Sequence, residues 1–382
     1  MSFSILKIKV YKFLYNLAFS SALCYNRRVK SLRRRKMKIG NVEIKNGIFL
    51  APMAGYTDRA MRLIAKEFGC EYTTTEMVSA KAVTYGDKKT FRLGRIYSDE
   101  GPVALQIFGS EPEVMAEAAS IILRHEGELI ASGARHESLY QGHSSADSPT
   151  VALPVAFDIN MGCPVNKIFS NGEGSALMRD PDLIYRITRA VNEAIPLPTT
   201  VKMRLGIDSE HINVMECARA AEEGGAAAIC IHGRTKAQMY GGEAEFDEIA
   251  RVKSALSIPL IANGDITTPD GARAVLDKTR ADGIAIGRGA VGNPYIFRDI
   301  LNMLEGRSPS PAPTTEMLVE AALRQLRYAV EDKGEAVAIP ESRKQIALYL
   351  KGFRGAARIR TEINTSTSFA EVEAALKAAL TD

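Results

Sequence analysis

A (β/α)8 barrel of the TIM type, followed by a small all-helical C-terminal domain, is the α/β fold class that this 382-residue sequence predicts. Three observations lead there. Eight short β-rich runs alternate with amphipathic helical stretches, the pattern of parallel βα units in series. Seven of those runs carry glycine or polar residues at their ends, where such barrels collect their active sites. A proline-rich stretch then separates this alternation from a purely helical remainder.

The candidate strands are Ile48–Ala51, Thr73–Met77, Val103–Ile107, Ala156–Ile159, Thr199–Met203, Ala227–Ile231, Pro259–Ala262 and Gly283–Ile286. Helical periodicity fills the intervals at Pro112–Arg124, Pro181–Glu193, Asn213–Glu223, Phe246–Leu256 and Pro269–Lys278. Lys38-Ile39-Gly40-Asn41 opens a hairpin ahead of the first strand, so the barrel is expected over 37–307. A doubly wound sheet shares the alternation, but its Gly-rich first turn is missing. Gly127 to Pro154 is polar, rich in Ser, Gly and His, and reads as a mobile surface insertion before the fourth strand. Ser308-Pro309-Ser310-Pro311-Ala312-Pro313 marks a linker over 308–314. Beyond it, Thr315–Asp332, Glu341–Lys351 and Phe369–Leu380 read as helices of a domain over 315–382.

Composition narrows the classes. Apolar residues at 46% and charged residues at 25% are the mixture of an ordinary soluble protein, which requires no membrane. The net charge of +4 conceals an asymmetry, because residues 1–38 hold eleven Lys or Arg and no acid, leaving the rest at −7. Overall basicity is therefore no argument that the body binds nucleic acid. Residues 1–36 are expected to be an upstream extension outside the fold. Val10 to Tyr25 is interrupted by Lys12 and Asn16, and Ser21-Ala22-Leu23-Cys24 is a poor cleavage site. A basic arm touching RNA or a membrane surface is the rival expectation. Five cysteines without a C-x-x-C pair favour neither a disulfide framework nor a metal site, and point to a reducing, cytoplasmic setting.

The chemistry sits at the strand ends. These are Ala51-Pro52-Met53-Ala54-Gly55, Gln106 with Phe108-Gly109, Asn160-Met161-Gly162-Cys163-Pro164, Lys202 with Arg204, His232-Gly233-Arg234, Asn263-Gly264-Asp265 and Gly287-Arg288-Gly289. The last two point to a phosphate, since loops after strands seven and eight of such barrels often bind one. Gly264, Gly287 and Gly289 admit a close backbone approach and Arg288 adds a forked donor, although glycines also serve tight turns. Lys202 and Gln106 tilt the balance toward flavin mononucleotide (FMN). A flavin ring needs hydrogen-bond partners along its pyrimidine edge and a cation near N1. Cys163, in a Gly-Cys-Pro turn at a strand end, is poorly placed for a core thiol. Cys70, Cys217 and Cys230 fall inside helix or strand patterns and read as small buried hydrophobes. Gly172-Glu173-Gly174 follows no strand and reads as a loop covering the site rather than a dinucleotide turn.

Those motifs, in that order, closely resemble the tRNA-dihydrouridine synthases, specifically the bacterial B-type branch. The resemblance runs from about Met37 into the tail, including Tyr349-Leu350-Lys351-Gly352-Phe353. It implies FMN-dependent reduction of specific tRNA uridines to 5,6-dihydrouridine, with the flavin recharged by NADPH or NADH. Pro52, Met53, Ala54, Gln106, Lys202, His232, Asn263, Gly264, Asp265, Gly287 and Arg288 would hold the cofactor. Cys163 would give the proton to C5 while hydride reaches C6, and Asn160, Arg204 and Arg234 would face the uracil. An unperturbed thiol is mostly neutral at pH 7 and can donate. The sequence departs from the family's pattern in its longer 127–154 stretch, in Tyr56 where a smaller residue is common, and in Phe246 where Trp is common.

Transfer RNA needs a docking surface. Between Arg343 and Arg360 stand six basic residues and no acid. On one helix Lys344, Lys351 and Arg358 would share a face, with Arg354 close by, unless Gly352 and Gly355 break it. A monomer is expected. Two other functions use the same barrel: reduction of a free small molecule of dihydroorotate or enoate type, or non-catalytic RNA binding.

Overall fold

The computed structural model describes residues 36–137, 147–353 and 355–380. The expected basic extension, apart from Lys36, and the central part of the expected mobile insertion lie outside the described residues, as does Arg354. Two short strands, β1 (Met37–Ile39) and β2 (Val42–Ile44), pair as an antiparallel hairpin. Its turn uses Gly40 at φ 56°, packed on the Pro198 ring, where a side chain would collide. Met37, Ile39 and Ile44 are buried with Phe49, Tyr72, Ala104, Ala156, Ala228, Ile261 and Ala285, so the hairpin plugs the N-terminal end of the barrel.

The barrel strands are β3 (Ile48–Leu50), β4 (Thr73–Thr74), β5 (Val78–Ser79), β6 (Val103–Phe108), β7 (Ala156–Met161), β8 (Thr199–Met203), β9 (Ala228–His232), β10 (Leu260–Asn263) and β11 (Gly283–Ile286). They pair in parallel in the order β3-β11-β10-β9-β8-β7-β6-β4, with β5 continuing beside β6. A parallel bridge between Phe49 and Tyr72, and the Leu50 N–H donating to Tyr72 at 3.0 Å, close the ring. The second strand is thus split: after Thr74 the chain leaves the ladder and rejoins it at Val78. Alternation held the register. Ile107, Ile159, Val201, Ile229 and Ile284 face the surrounding helices and are fully buried.

The helix predicted over Pro112–Arg124 continues to Ala131, so the non-helical insertion starts later than Gly127. The tail differs more. Its second helix is Glu335–Ile346, not Glu341–Lys351, with Pro340 inside it. A further helix, Ala356–Thr365, follows Gly355, whose φ of 75° stops any continuation from the preceding turn. Lys344, Lys351 and Arg358 therefore lie on a helix, a turn and another helix, not on one face. Residues 307–314 have no regular secondary structure, and the tail helix Thr315–Lys333 packs on the barrel helix Arg59–Glu67. Its Arg324 bonds Glu67 at 2.8 Å, and Lys333 bonds Asp58 at 2.7 Å and Glu341 at 2.9 Å. Among the described residues no helix is long and apolar enough to cross a membrane.

Candidate active site

Strand register assembles the site. It pairs Gln106 with Asp158, Asn160 with Lys202, Lys202 with Cys230, and His232 with Asn263. Side chains two residues apart on one strand share a face, so Asp158 and Asn160 point the same way, one layer apart. A continuous hydrogen-bonded chain follows. Thr200 donates to Asp158 at 2.6 Å, and Gln106 Nε2 donates to the other Asp158 oxygen at 2.6 Å. Asn160 Nδ2 donates to Gln106 Oε1 at 2.9 Å, and Asn160 Oδ1 accepts from the backbone of Gly162 at 3.2 Å and Cys163 at 2.9 Å. Asn160 therefore fixes the turn that presents Cys163.

Cys163 is partly exposed, and burial raises its thiol pKa, against the pull of the Val165 N–H and of Arg204 and Lys202. The proton stays on sulfur at neutral pH. Ser175 donates to the Cys163 carbonyl at 2.8 Å through its hydroxyl and at 3.1 Å through its N–H, so the loop around Gly174 buttresses the turn. Burial pushes the other thiols further: Cys70 and Cys217 to about 12, Cys230 to about 11.

The Lys202 ammonium is the unpaired charge of the mouth. It has no hydrogen-bond or ion-pair partner among the described residues, and burial lowers its pKa. His232 is pushed down to about 2 by burial and by Lys202, Arg204, Arg234 and Arg288, so its imidazole is neutral. Below this layer a cavity of about 40 Å³, lined in part by Tyr72, Asp158, Thr200 and Lys202, is too small for more than a water or two.

The arginines divide by use. Arg204 is buried and donates to the carbonyls of Gly162 (2.8 Å), Thr235 (2.8 Å) and Met239 (2.9 Å). Arg234 is buried and donates to both Asp265 oxygens (2.8 and 2.7 Å) and to Gly241 and Gly242 (3.0 and 2.6 Å). Their N–H groups are largely committed to backbone and to Asp265, and they hold the 235–242 loop. That loop carries half-exposed Tyr240, with the guanidinium carbons of Arg204 and Arg288 at 5.7 and 5.1 Å from its ring. Asp265, set at φ 44°, lies 3.5 Å from Arg288 as well. Two guanidinium groups, from the ends of the sixth and eighth barrel strands, around one carboxylate leave this cluster net positive, as a phosphate requires.

A Cβ on Gly289 would lie 2.2 Å from the Ile266 carbonyl, and Gly264 sits at φ 136° against Ala244, so chain packing explains both. A Cβ on Gly287 would meet only Met53 and Ala51 side chains at 3.6 and 3.9 Å, so no neighbour crowds it, and its ψ of −110° is what favours glycine there. An ammonium without a protein partner among the described residues and the Arg234–Asp265–Arg288 cluster give the mouth a donor set of the kind an anionic, phosphate-bearing group requires. Asn263 is already bonded through Nδ2 to Ala285 (2.8 Å).

The tail reaches the mouth. Lys344 Nζ lies 4.6 Å from the Tyr56 ring centroid and beside Gly55, and Gln345 donates to the Tyr56 carbonyl at 3.3 Å. Next to it opens a cleft of about 850 Å³ between the barrel, the insertion and the tail. Lys351 is exposed, and Arg358 pairs with Glu362 at 2.9 Å, so the structure does not bring these two to the mouth with Lys344. No cluster of three or more His, Cys, Asp or Glu that could hold a metal occurs among the described residues.

Fold and site define a (β/α)8-barrel enzyme that displays a protonated thiol and a bare ammonium at its catalytic face. Comparison with known proteins makes this specific. A family described as dihydrouridine synthase (Dus) matches residues 49–129 and 153–382. A probable tRNA-dihydrouridine synthase of Treponema pallidum is 38% identical over 350 residues, covering 89% of this chain and 95% of that one. The tRNA-dihydrouridine synthase B of Pasteurella multocida is 38% identical over 332 residues (87% and 92%), and that of Vibrio vulnificus 37% over 328 (86% and 94%). Histamine dehydrogenase from Rhizobium sp. 4-9 shares the fold, with a TM-score of 0.50 at 12% identity over 78% of this chain and 51% of that chain. The chain belongs to the dihydrouridine synthase family.

Sequence reasoning passed over Asp158 and Thr200 as site residues. The signal was available, because Asp158-Ile159-Asn160 places a carboxylate on the inward face of a strand buried on both sides. Tyr240 gave no such signal, since only the folded loop brings it between two arginines.

Proposed function

We propose that this protein reduces uridine in tRNA to 5,6-dihydrouridine, holding FMN at the barrel mouth and drawing electrons from NADPH or NADH. The carrying observation is the Cys163 thiol, kept protonated by burial and aimed by the Asn160 turn on the same rim as Lys202. Pro52, Met53, Ala54, Gln106, Lys202, His232 and Asn263 would line the ring of the flavin. Gly264, Asp265, Gly287 and Arg288 would meet its phosphate. Bound and reduced, the flavin supplies a hydride to C6 of the uracil. The chain's own part is acid chemistry: Cys163 Sγ–H gives its proton to C5, and the thiolate left behind is stabilised by Arg204 and Lys202. Gln106 retains one Nε2 hydrogen beyond its bond to Asp158, and Lys202 offers its whole ammonium. Arg204 and Arg234 hold the rim loop rather than the base.

Lys344 stands where the RNA backbone would pass into the cleft, with Lys351 and Arg358 farther out and Arg354 outside the described residues. The target nucleotide must leave its stack to enter, at a cost of roughly a few kcal/mol. A free small molecule would leave an 850 Å³ cationic cleft without a use. The test is direct. Purified protein is expected to be yellow, to release FMN on denaturation, and to form dihydrouridine in unmodified tRNA when given NADPH, scored by mass spectrometry. Protein that carries flavin yet leaves tRNA unchanged overturns the uridine assignment, and colourless protein that takes up no added FMN overturns the cofactor.

A further inference from the structure

The family match stops at 129 and resumes at 153, so the residues between are an addition to the frame shared with its relatives. Their described parts are built into the molecule. One leg pairs Arg135 with Thr150 in antiparallel fashion, with Val151 donating to Ala134 at 3.0 Å and His136 to Pro149 at 2.8 Å. The other leg pairs Val151 with Tyr97 of the barrel, where Ser98 donates to Thr150 at 2.9 Å and Ala152 to Ile96 at 3.0 Å. From this ladder His136 reaches the tail. Its Nε2 lies 3.2 Å from Asp332 Oδ1, its ring meets Tyr97 edge-on at 4.8 Å, and its side chain is 8% exposed.

Asp332 sits at the end of the helix Thr315–Lys333, just before the corner at Gly334 (φ 72°) from which the helix carrying Lys344 departs. Burial alone would raise the Asp332 pKa; the bond from His136 and the charges of Arg59, His136 and Lys333 hold it low instead. Lys333 is tied to Asp58, the N-cap of the helix that follows the mouth loop. The corner is thus pinned from the insertion and from the barrel. Lys344 lies ten residues beyond it, about 15 Å along a helix, where a tilt of about 10° moves it by roughly 2.5 Å. Displacements near 1 Å already cost about 10²-fold when they misplace reacting groups.

We propose that the paired legs 132–137 and 147–152 are a brace that fixes the helical tail against the barrel mouth and thereby selects which uridine reaches Cys163; the selection rests on the uridine reading above. His136 is its positioning residue.

Because Arg135 faces Thr150, residues 136–149 can be replaced by Asn-Gly to close a two-residue hairpin. His136→Ala removes the contact and leaves the ladder whole; His136→Gln keeps an N–H donor for Asp332. Hydrogen exchange at residues 331–337 of the full chain is expected to quicken at least tenfold in the hairpin and Ala variants, and to stay near wild type in the Gln variant. On tRNA, the first two are expected to spread dihydrouridine over neighbouring uridines and lose about tenfold in kcat/KM, with NADPH-driven flavin reduction unchanged. Unaltered exchange in both, or faster exchange with the same single position at full kcat/KM, overturns the brace. A wild-type chain that forms no dihydrouridine overturns the uridine reading instead, while the exchange difference still decides whether the segment braces the tail.

Discussion

At the barrel mouth, Arg204 and Arg234 commit their N–H groups to Gly162, Thr235, Met239, Gly241, Gly242 and Asp265, and Asp158 is shared between Thr200 and Gln106. In the cleft alongside, most of the acids are committed groups. Asp58 and Glu341 hold Lys333, Asp332 holds His136, Glu76 accepts from the Gly55 N–H, and Asp87 caps a helix. Lys89, Arg92 and Lys344, on the same cleft, have no ion-pair partner among the described residues. The mouth is pre-organised for one small, oriented group, with its donors fixed before anything binds. The cleft keeps loose cations, which suits a polyanion recognised by charge rather than by fixed geometry. Catalysis and docking are therefore separable, and each prediction below perturbs one side of that contrast.

The largest effect is expected at the mouth. Cys163→Ala should lower tRNA reduction about 10²–10⁴-fold, as for loss of a positioned acid, while flavin content and NADPH oxidation persist. A rate within threefold of wild type, measured as dihydrouridine per minute, would remove the thiol from the mechanism. The same group sets a pH limit. Its pKa is raised by burial, so the donor form is present below that pKa and lost as pH rises through it. The single-turnover rate should hold past the ordinary thiol range near about 8.5 and fall above it. Loss beginning near pH 7 would contradict the burial effect.

Next comes Asn160→Ala, which frees the Gly162 and Cys163 N–H groups and loosens the turn. A drop of about 10²-fold with intact flavin binding is expected, since small misplacements of a reacting group carry that cost. Asn160→Asp, which keeps the acceptor, should recover part of it. Lys202→Met removes a charge-assisted donor worth roughly 1.5–3 kcal/mol, which for a two-electron couple corresponds to a flavin potential about 30–65 mV more negative. An unchanged potential by spectroelectrochemical titration would show that Lys202 does not face the ring.

The contrast also explains what was legible. Strand ends were, because period-two alternation forces every second residue inward, so Gln106, Asn160, Lys202 and His232 could be turned toward the barrel interior before any contact was known. Even so, Asp158 escaped notice, one alternation below Asn160, as did the splitting of the second strand at Thr74. The cleft was not legible. Its walls come from residues 55–97, 129–137 and 332–345, and adjacency across such separations is a packing outcome with no local signature. Lys344, Lys351 and Arg358 fall on separate elements because left-handed backbone at Gly352 (φ 92°) and Gly355 (φ 75°) ends helical spacing, a break those two glycines made legible in the sequence. The protein partners of Arg204 and Arg234 were not legible, because a sequence shows where a guanidinium is but not which carbonyls fold around it.

The smallest predicted effect bears on the cleft alone. Lys344 has two possible occupations: a phosphate, or only the Tyr56 ring 4.6 Å away. A phosphate contact releases counterions, so tRNA affinity should fall steeply with salt, and each cation removed should flatten log Kd against log salt by about 0.7–0.9. Between about 50 and 200 mM, Lys344→Ala should therefore lose roughly threefold less affinity than wild type does. Lys344→Arg should restore the slope. Single-turnover chemistry at saturating tRNA should be unaffected, because the Cys163 turn is held by Asn160 and Ser175 and not by the tail. If the slope is unchanged in Lys344→Ala while the saturating rate falls, the ammonium serves the mouth loop through Tyr56, and the division between fixed chemistry and loose docking breaks at that residue.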